Sequence, residues 1–377
     1  VRESKEQAQV YFLPMEEIKR LRDEIDIIDE EILKLLNKRA KLAKSIGEIK
    51  KQLNLEIHSP EREREVIDRL VKLNKELHGE EFPSEAVKHV FREIMSACLS
   101  LEKELRVAYL GPKATFTHQA SLEYFGLSAY YIPVPTIRDV FVEVETERVD
   151  YGVVPVENTT EGVVNYTLDM FLEFSVKIIG EVVIPIKLHL LSTGRSLEEI
   201  KEVYSHRQAL AQCRNWLEKN LPHVKLIETD STARACEIVL EREGSAAIAS
   251  EVASYTYHLN ILAENIQDNL SNYTRFLVLG KRDMKRTGKD KTSILFAVRD
   301  EAGALYKALE SFYKYGVNLT KIESRPSKKK AWDYVFFADL EGHIEDENVS
   351  LALEMLKERT QMVKVLGSYP RAITEEG

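Results

Sequence analysis

Apolar side chains at Ile18, Leu21, Ile25, Ile28, Ile32 and Leu35, then at Leu42, Ile46, Ile49 and Leu53, recur in alternating steps of three and four. That spacing lines one stripe of an α-helix. Its persistence predicts a helix of about 40 residues spanning about 60 Å, too long for a compact monomer to cover with its own neighbours. The register is broken once, where Arg39 stands in place of an apolar residue. A charge in an apolar seam is costly unless paired, so a buried carboxylate or a bound anion has to meet Arg39.

Two further helices follow. Ser59, Pro60 and Glu61 read as N-cap, first helical residue and first-turn acid ahead of Val66, Leu70, Leu73 and Leu77. Pro83, Ser84 and Glu85 repeat the signal ahead of Val87, Phe91, Ile94, Cys98, Leu101 and Leu105. Residues 1–105 thus read as an all-helical domain. Lys50 lies eleven residues beyond Arg39, about 20° away around the helix. Arg62 opens the second stripe and Glu102 borders the third beside Cys98, so these polar side chains converge on one interior pocket. Arg22 sits about 100° off the Arg39 face and points to another subunit. On periodicity alone, a dimerisation module whose register is set by Arg39 competes with an anion pocket.

The remainder changes character. Strand-like runs, "RVAYLG", "YGVVPVEN", "KIIGEVVIPIKLHLL", "EVYSH", "VKLIET", "SAAIAS" and "TRFLVLG", alternate with helical ones over residues 106–281, an α/β pattern. Residues 282–291 are polar and read as a linker. Residues 292–377 give the order βαββαβ, a ferredoxin-like unit. No apolar run reaches about 18 residues, so neither a membrane span nor a secretory signal is expected. Three cysteines, an odd number, suit a reducing cytoplasm. A net charge of -9 argues against bulk nucleic-acid binding.

The elements "LRDEIDIIDEEILKLLNKR", "KLAKSIGEIK", "PEREREV" and "VFREIMSACLSLE" resemble the all-helical chorismate mutases over most of residues 15–105. The resemblance implies that Arg39 and Arg22 of the partner subunit hold the substrate carboxylates, that Lys50 and Glu102 address the ether oxygen, and that Arg62 and Glu63 complete the pocket. Ser59 and Cys98 stand where that family often has Asp and Ser, and Glu102 where Gln is common. The rearrangement of chorismate to prephenate is unimolecular and needs no nucleophile, metal or cofactor, only positioning and fixed charge.

"GPKATFTH", "VPVENTTEGVVNYTLD", "YSHRQALAQC", "DSTARA" and "SNYTRFLVLG", in this order, resemble prephenate dehydratase. That implies two α/β lobes like a periplasmic binding protein, a catalytic Thr274, and a site shaped by Asn158, Thr159, Ser205, His206, Gln212, Arg275 and Phe276. Threonine is a poor acid, so Thr274 reads as an orienting donor, with His206 and Glu157 as candidate proton sources. Ala114 replaces a glycine usual in the first motif.

"GALYKALESFYKYGVNLTKIESRP" resembles the ACT regulatory domain. Phenylalanine is its implied ligand, held between Gly303, Ala304 and Leu305 at a helix start and Glu323, Ser324, Arg325 and Pro326 on a facing strand. The whole reads as a multidomain, bifunctional, feedback-controlled enzyme acting on chorismate and prephenate. It is expected to form a homodimer or higher homo-oligomer through the long helix and the ACT domain. A mutase joined to a dehydrogenase is disfavoured, because no G-x-G-x-x-G follows a predicted strand. A non-catalytic sensor of aromatic metabolites is the alternative from another class.

Overall fold

The computed structural model describes residues 2–78, 81–326 and 334–372. The chain forms two compact units that divide between Glu104 and Leu105. In the first, α1 (Arg2–Gln52), α2 (Pro60–His78) and α3 (Ser84–Glu102) are the expected helices. α1 has 51 residues, longer than the apolar stripe alone predicts. Both α1 and α2 pack on α3. Gly47 sets the closeness of that packing: a Cβ there would lie 2.8 Å from Glu102 Cγ. The stripe itself is uncovered, with Ile25 at 54% and Leu35 at 65% exposure.

The second unit opens with two α/β lobes. The first lobe holds β1 (Arg106–Leu110), α4 (Phe116–Phe125), β2 (Tyr130–Val134), α5 (Ile137–Glu145), β3 (Tyr151–Asn158), β4 (Gly162–Val163), α6 (Asn165–Glu173) and β5 (Lys177–Pro185). The second holds β6 (His189–Ser192), β7 (Glu202–His206), α7 (Arg207–Gln212), α8 (Arg214–Asn220), β8 (Lys225–Thr229), α9 (Thr232–Leu240), β9 (Ser245–Ala249), α10 (Glu251–Tyr257) and β10 (Asn260–Ala263). β11 (Tyr273–Gly280) then returns to the first sheet, whose order is β2-β1-β3-β11-β5 with β4 on β3; the second sheet runs β10-β6-β9-β7-β8.

The apolar run 177–191, one strand by its sequence, is therefore two strands in different sheets. It breaks after Pro185, and the two crossing segments bond to each other, Ile186 N to Asn272 O at 2.8 Å. β2 and β10 are absent from the sequence reading. Both are edge strands, and β2 contains Pro133, which weakens the pattern that announces a strand.

β12 (Asp290–Ala297), α11 (Ala304–Lys314), β13 (Leu319–Pro326), β14 (Tyr334–Glu341), α12 (Glu347–Arg359) and β15 (Met362–Pro370) form the βαββαβ unit, in sheet order β13-β14-β12-β15. The expected strand start at Trp332 and Asp333 lies outside the described residues. The expected linker 282–291 needs correction. Asp290 and Lys291 already belong to β12, and Met284 is 3% exposed with its carbonyl 3.0 Å from His343 Nε2. β15 lies directly on β5, where a Cβ on Gly367 would come 2.0 Å from Ile178 O. No helix among the described residues is long and apolar enough to cross a membrane.

Candidate functional site

In the helical unit, α1 brings its cations to α3. Burial raises the pKa of Glu102 above its ordinary 4.5, against the lowering pull of Lys50, Lys51 and Arg39. Glu102 Oε2 is buried with no hydrogen-bond partner among the described residues. Arg39 donates from Nη1 to Ile94 O at 3.4 Å and makes no ion pair among the described residues, so its fork is left for an anion. Lys50 Nζ donates to Ile57 O at 2.6 Å. Arg39, Lys50 and Glu102 thus meet, as the helical spacing predicts. Lys51, which sequence reasoning passed over, adds its charge.

The other expected residues make contacts of their own, outside this cluster, or are simply buried or exposed. Arg62 is exposed and pairs with Glu65 at 2.9 Å. Glu63 Oε1 sits 3.3 Å from His58 Nε2, and Ser59 Oγ donates to Glu61 Oε2 at 2.8 Å. Cys98 is buried and Arg22 is exposed.

The cleft of the two-lobed unit is organised by one amide. β3 and β11 pair Asn158 with Thr274, and Asn158 Nδ2 donates to Thr274 Oγ1 at 2.8 Å and to Asn272 Oδ1 at 2.9 Å. Because Thr274 accepts this bond, and donates none to a described residue, its own proton is free to point at a ligand. Asn158 Oδ1 in turn accepts from Thr160 N and Glu161 N, at 2.8 and 3.0 Å. From the other lobe Gln212 Nε2 reaches Glu161 Oε1 at 3.3 Å. His206 caps α7, its Nδ1 accepting from Gln208 N.

Thr159 bonds Ser271 O and Tyr273 N, which fastens the end of β3 to the returning crossing segment. Ser205 is fully buried and donates to Ile248 O at 2.6 Å, joining β7 to β9. Phe276 is 1% exposed and belongs to the first lobe's core. Ala114 takes φ +64, the left-handed region that explains a glycine preference there; its N–H donates to His118 Nδ1, and its carbonyl receives Ser250 Oγ from the second lobe.

Arg275 does not share the Thr274 face. Neighbours along a strand point to opposite sides, and its guanidinium enters the seam with the βαββαβ unit. Nε bonds Glu181 at 2.7 Å, Nη1 bonds Asp339 at 2.6 Å and Nη2 bonds Tyr369 Oη at 3.0 Å. Burial would raise the Glu181 carboxyl, but Arg275 and Lys291 hold it below its ordinary value. Glu157, beside Asn158, faces the same way: Lys321 Nζ lies 2.7 Å from Oε2 as an ion pair off the hydrogen-bond line.

A third feature is a cavity of about 220 Å³ beside the start of α11, lined among others by Arg299, Gly303, Ala304, Leu305, Tyr334 and Phe336. Gly303 has φ +81 with open space where a Cβ would be, so it is required by backbone conformation rather than by crowding. Glu323, Ser324, Arg325 and Pro326 do not line the cavity, contrary to expectation, because β14 separates β13 from β12. Arg325 instead makes a two-pronged pair with Asp169 of α6, at 3.1 and 3.2 Å.

Three family profiles match the chain: Chorismate mutase type II over residues 21–103, Prephenate dehydratase over 107–284 and ACT domain over 292–354. A bifunctional chorismate mutase/prephenate dehydratase of Aquifex aeolicus is 72% identical over 362 residues, 96% of this chain and 100% of that protein. One from Neisseria gonorrhoeae is 45% identical over 93% of this chain and 96% of its own. Among solved structures, the prephenate dehydratase of Arthrobacter aurescens in complex with L-Phe aligns with a TM-score of 0.66 and 35% identity, covering 71% of this chain and 90% of its own.

Proposed function

This chain belongs to the bifunctional chorismate mutase/prephenate dehydratases, and from that premise we propose how its residues divide the two reactions. The enzyme rearranges chorismate to prephenate and converts prephenate to phenylpyruvate, and it carries an ACT regulatory domain. The sensor alternative falls away, since relatives matching nearly the whole chain are enzymes named for both steps.

For the mutase, Arg39 and the partner subunit's Arg22 hold the carboxylates, and Lys50 and Glu102 address the ether oxygen where charge develops. Arg62, Glu63, Ser59 and Cys98 border that pocket. The uncovered stripe on α1 supports pairing of two copies along it, which would also deliver the second arginine. For the dehydratase, Thr274, held in place by Asn158, donates a hydrogen bond that orients the departing hydroxyl. The single observation that carries this assignment is the Asn158 bond to Thr274 Oγ1. Gln212 and His206 close the site from the opposite lobe.

For regulation, the effector is phenylalanine. A structural relative was solved with L-Phe, and the cavity at Gly303–Leu305 offers a helix start for its carboxylate and aromatic walls for its ring. Glu323 to Pro326 lie on an edge strand, so they complete the site across a second copy. Buried, unpaired Cys98, Cys213 and Cys236 suit a reducing cytoplasm.

The test uses Thr274→Val, which removes only the hydroxyl. Given chorismate, the variant should accumulate prephenate, with dehydratase kcat lower by about 100-fold while the mutase rate is kept. Phenylpyruvate forming within about threefold of the wild-type rate would remove Thr274 from the mechanism.

A further inference from the structure

Glu161, inside the stretch "VPVENTTEGVVNYTLD" but not among the site residues expected from it, joins the side chains of the two lobes. Its N–H donates to Asn158 Oδ1, the amide whose other end holds Thr274. Its carboxyl receives Gln212 from the opposite lobe. The imidazole of His206, at the start of α7, is the titratable group whose charge reaches it. Gly162 follows at φ +84, turning the chain back into β4 and leaving Glu161 at the tip of the hairpin.

We propose that Glu161 is the general acid of the dehydratase step, giving its carboxyl proton to the departing hydroxyl of prephenate while Thr274 hydrogen-bonds the same oxygen. The inference rests on the assignment of this cleft to prephenate. The bond from the ring to its carboxylate breaks and its electron pair enters the ring. The carbon–oxygen bond across the ring breaks in turn, and the oxygen leaves with the electron pair of that carbon–oxygen bond. It takes the Glu161 proton and departs as water. Carbon dioxide, water and phenylpyruvate result, and the Glu161 carboxylate regains a proton from solvent.

A general acid has to retain its proton toward neutral pH. Glu161 lies at an exposed hairpin tip, yet the desolvation it meets there raises its pKa above its ordinary 4.5, against a lowering by His206. Other candidates are committed elsewhere. Glu157 faces Lys321 at 2.7 Å and Arg275 at 3.9 Å, partners for a carboxylate. His206 commits Nδ1 to capping α7, accepting from Gln208 N, and the His206→Asn variant tests its Nε2.

The experiment measures dehydratase kcat and KM for prephenate across about pH 5 to 9 in the full chain, for wild type, Glu161→Gln, Glu161→Asp, His206→Asn and Thr274→Val. Glu161→Gln keeps an acceptor for Gln212 but has no proton to give. Its kcat should fall about 100-fold or more with KM within about threefold, and the alkaline fall of the wild-type profile should vanish. Glu161→Asp should retain that fall at a reduced rate. A Glu161→Gln rate within about threefold of wild type overturns the proposal, as does an alkaline fall that His206→Asn abolishes and Glu161→Gln keeps. If Thr274→Val is crippled and Glu161→Gln is not, the acid alone is refuted; if neither is impaired, the cleft assignment goes with it.

Discussion

Asn158 uses both ends of its amide, Nδ2 on Thr274 Oγ1 and Oδ1 on the N–H of Glu161, so one side chain fixes a donor hydroxyl and a carboxyl together. Glu102 is the other carboxyl in a decisive position. In the role proposed for it, the ionised carboxyl would repel charge growing on the ether oxygen and the protonated one would donate to it. Its pKa is raised by burial, so mutase kcat/KM should climb as pH falls and begin climbing above the ordinary carboxylate range. Glu102→Gln, a permanent donor of the same shape, should flatten that profile and raise the neutral-pH rate. Superimposable pH profiles for the two forms would falsify the assignment. Residues such as Arg39, Lys50 and Glu102 were legible because helix periodicity converts spacing directly into angle. Asn272 was not, since it reaches Asn158 from 114 positions away through strand pairing that no local pattern encodes.

β3 and β11 carry two sets of residues on opposite sides. Asn158 and Thr274 face the cleft, whereas Glu157 and Arg275, paired across the same ladder, face the ACT domain. There they meet Lys321 and Asp339, themselves cross-strand partners on β13 and β14. β13 is thereby tied by charge to the residue next to Asn158. Lys321→Glu should lower dehydratase kcat by roughly tenfold, on the scale of a 1–2 kcal/mol coupling, and adding Glu157→Lys should recover most of it. No recovery in the double variant would show that the charges are not coupled. The three helices and the βαββαβ order could be read from period and punctuation. The split of residues 177–191 could not, because an apolar run does not say which sheet receives each half.

Across the whole second unit, the seam is electrostatically lopsided. The dehydratase side presents Glu157, Asp169 and Glu181 with Arg275; the ACT side presents Lys291, Lys321 and Arg325 with Asp339. Arg275→Met should destabilise this unit by roughly 3–5 kcal/mol, because it leaves buried carboxylates short of a cation; thermal unfolding would check it. Glu181 adds a pH signature. Its folded pKa is depressed, so its stabilisation is full at neutral pH, shrinks as pH drops below the ordinary 4.5 and is lost once pH passes the depressed value. The wild-type Tm should therefore fall more steeply on acidification than that of Glu181→Gln. Domain order was legible from composition and motif, but this docking was not, since it depends on charges far apart in the chain. At Gly367, whose Cβ would strike Ile178 O, the consequence reaches into engineering. A regulatory domain grafted from another enzyme would need a bare backbone at this point and the matching acids and bases around it, so an exchange should succeed only when both faces of the seam are moved together.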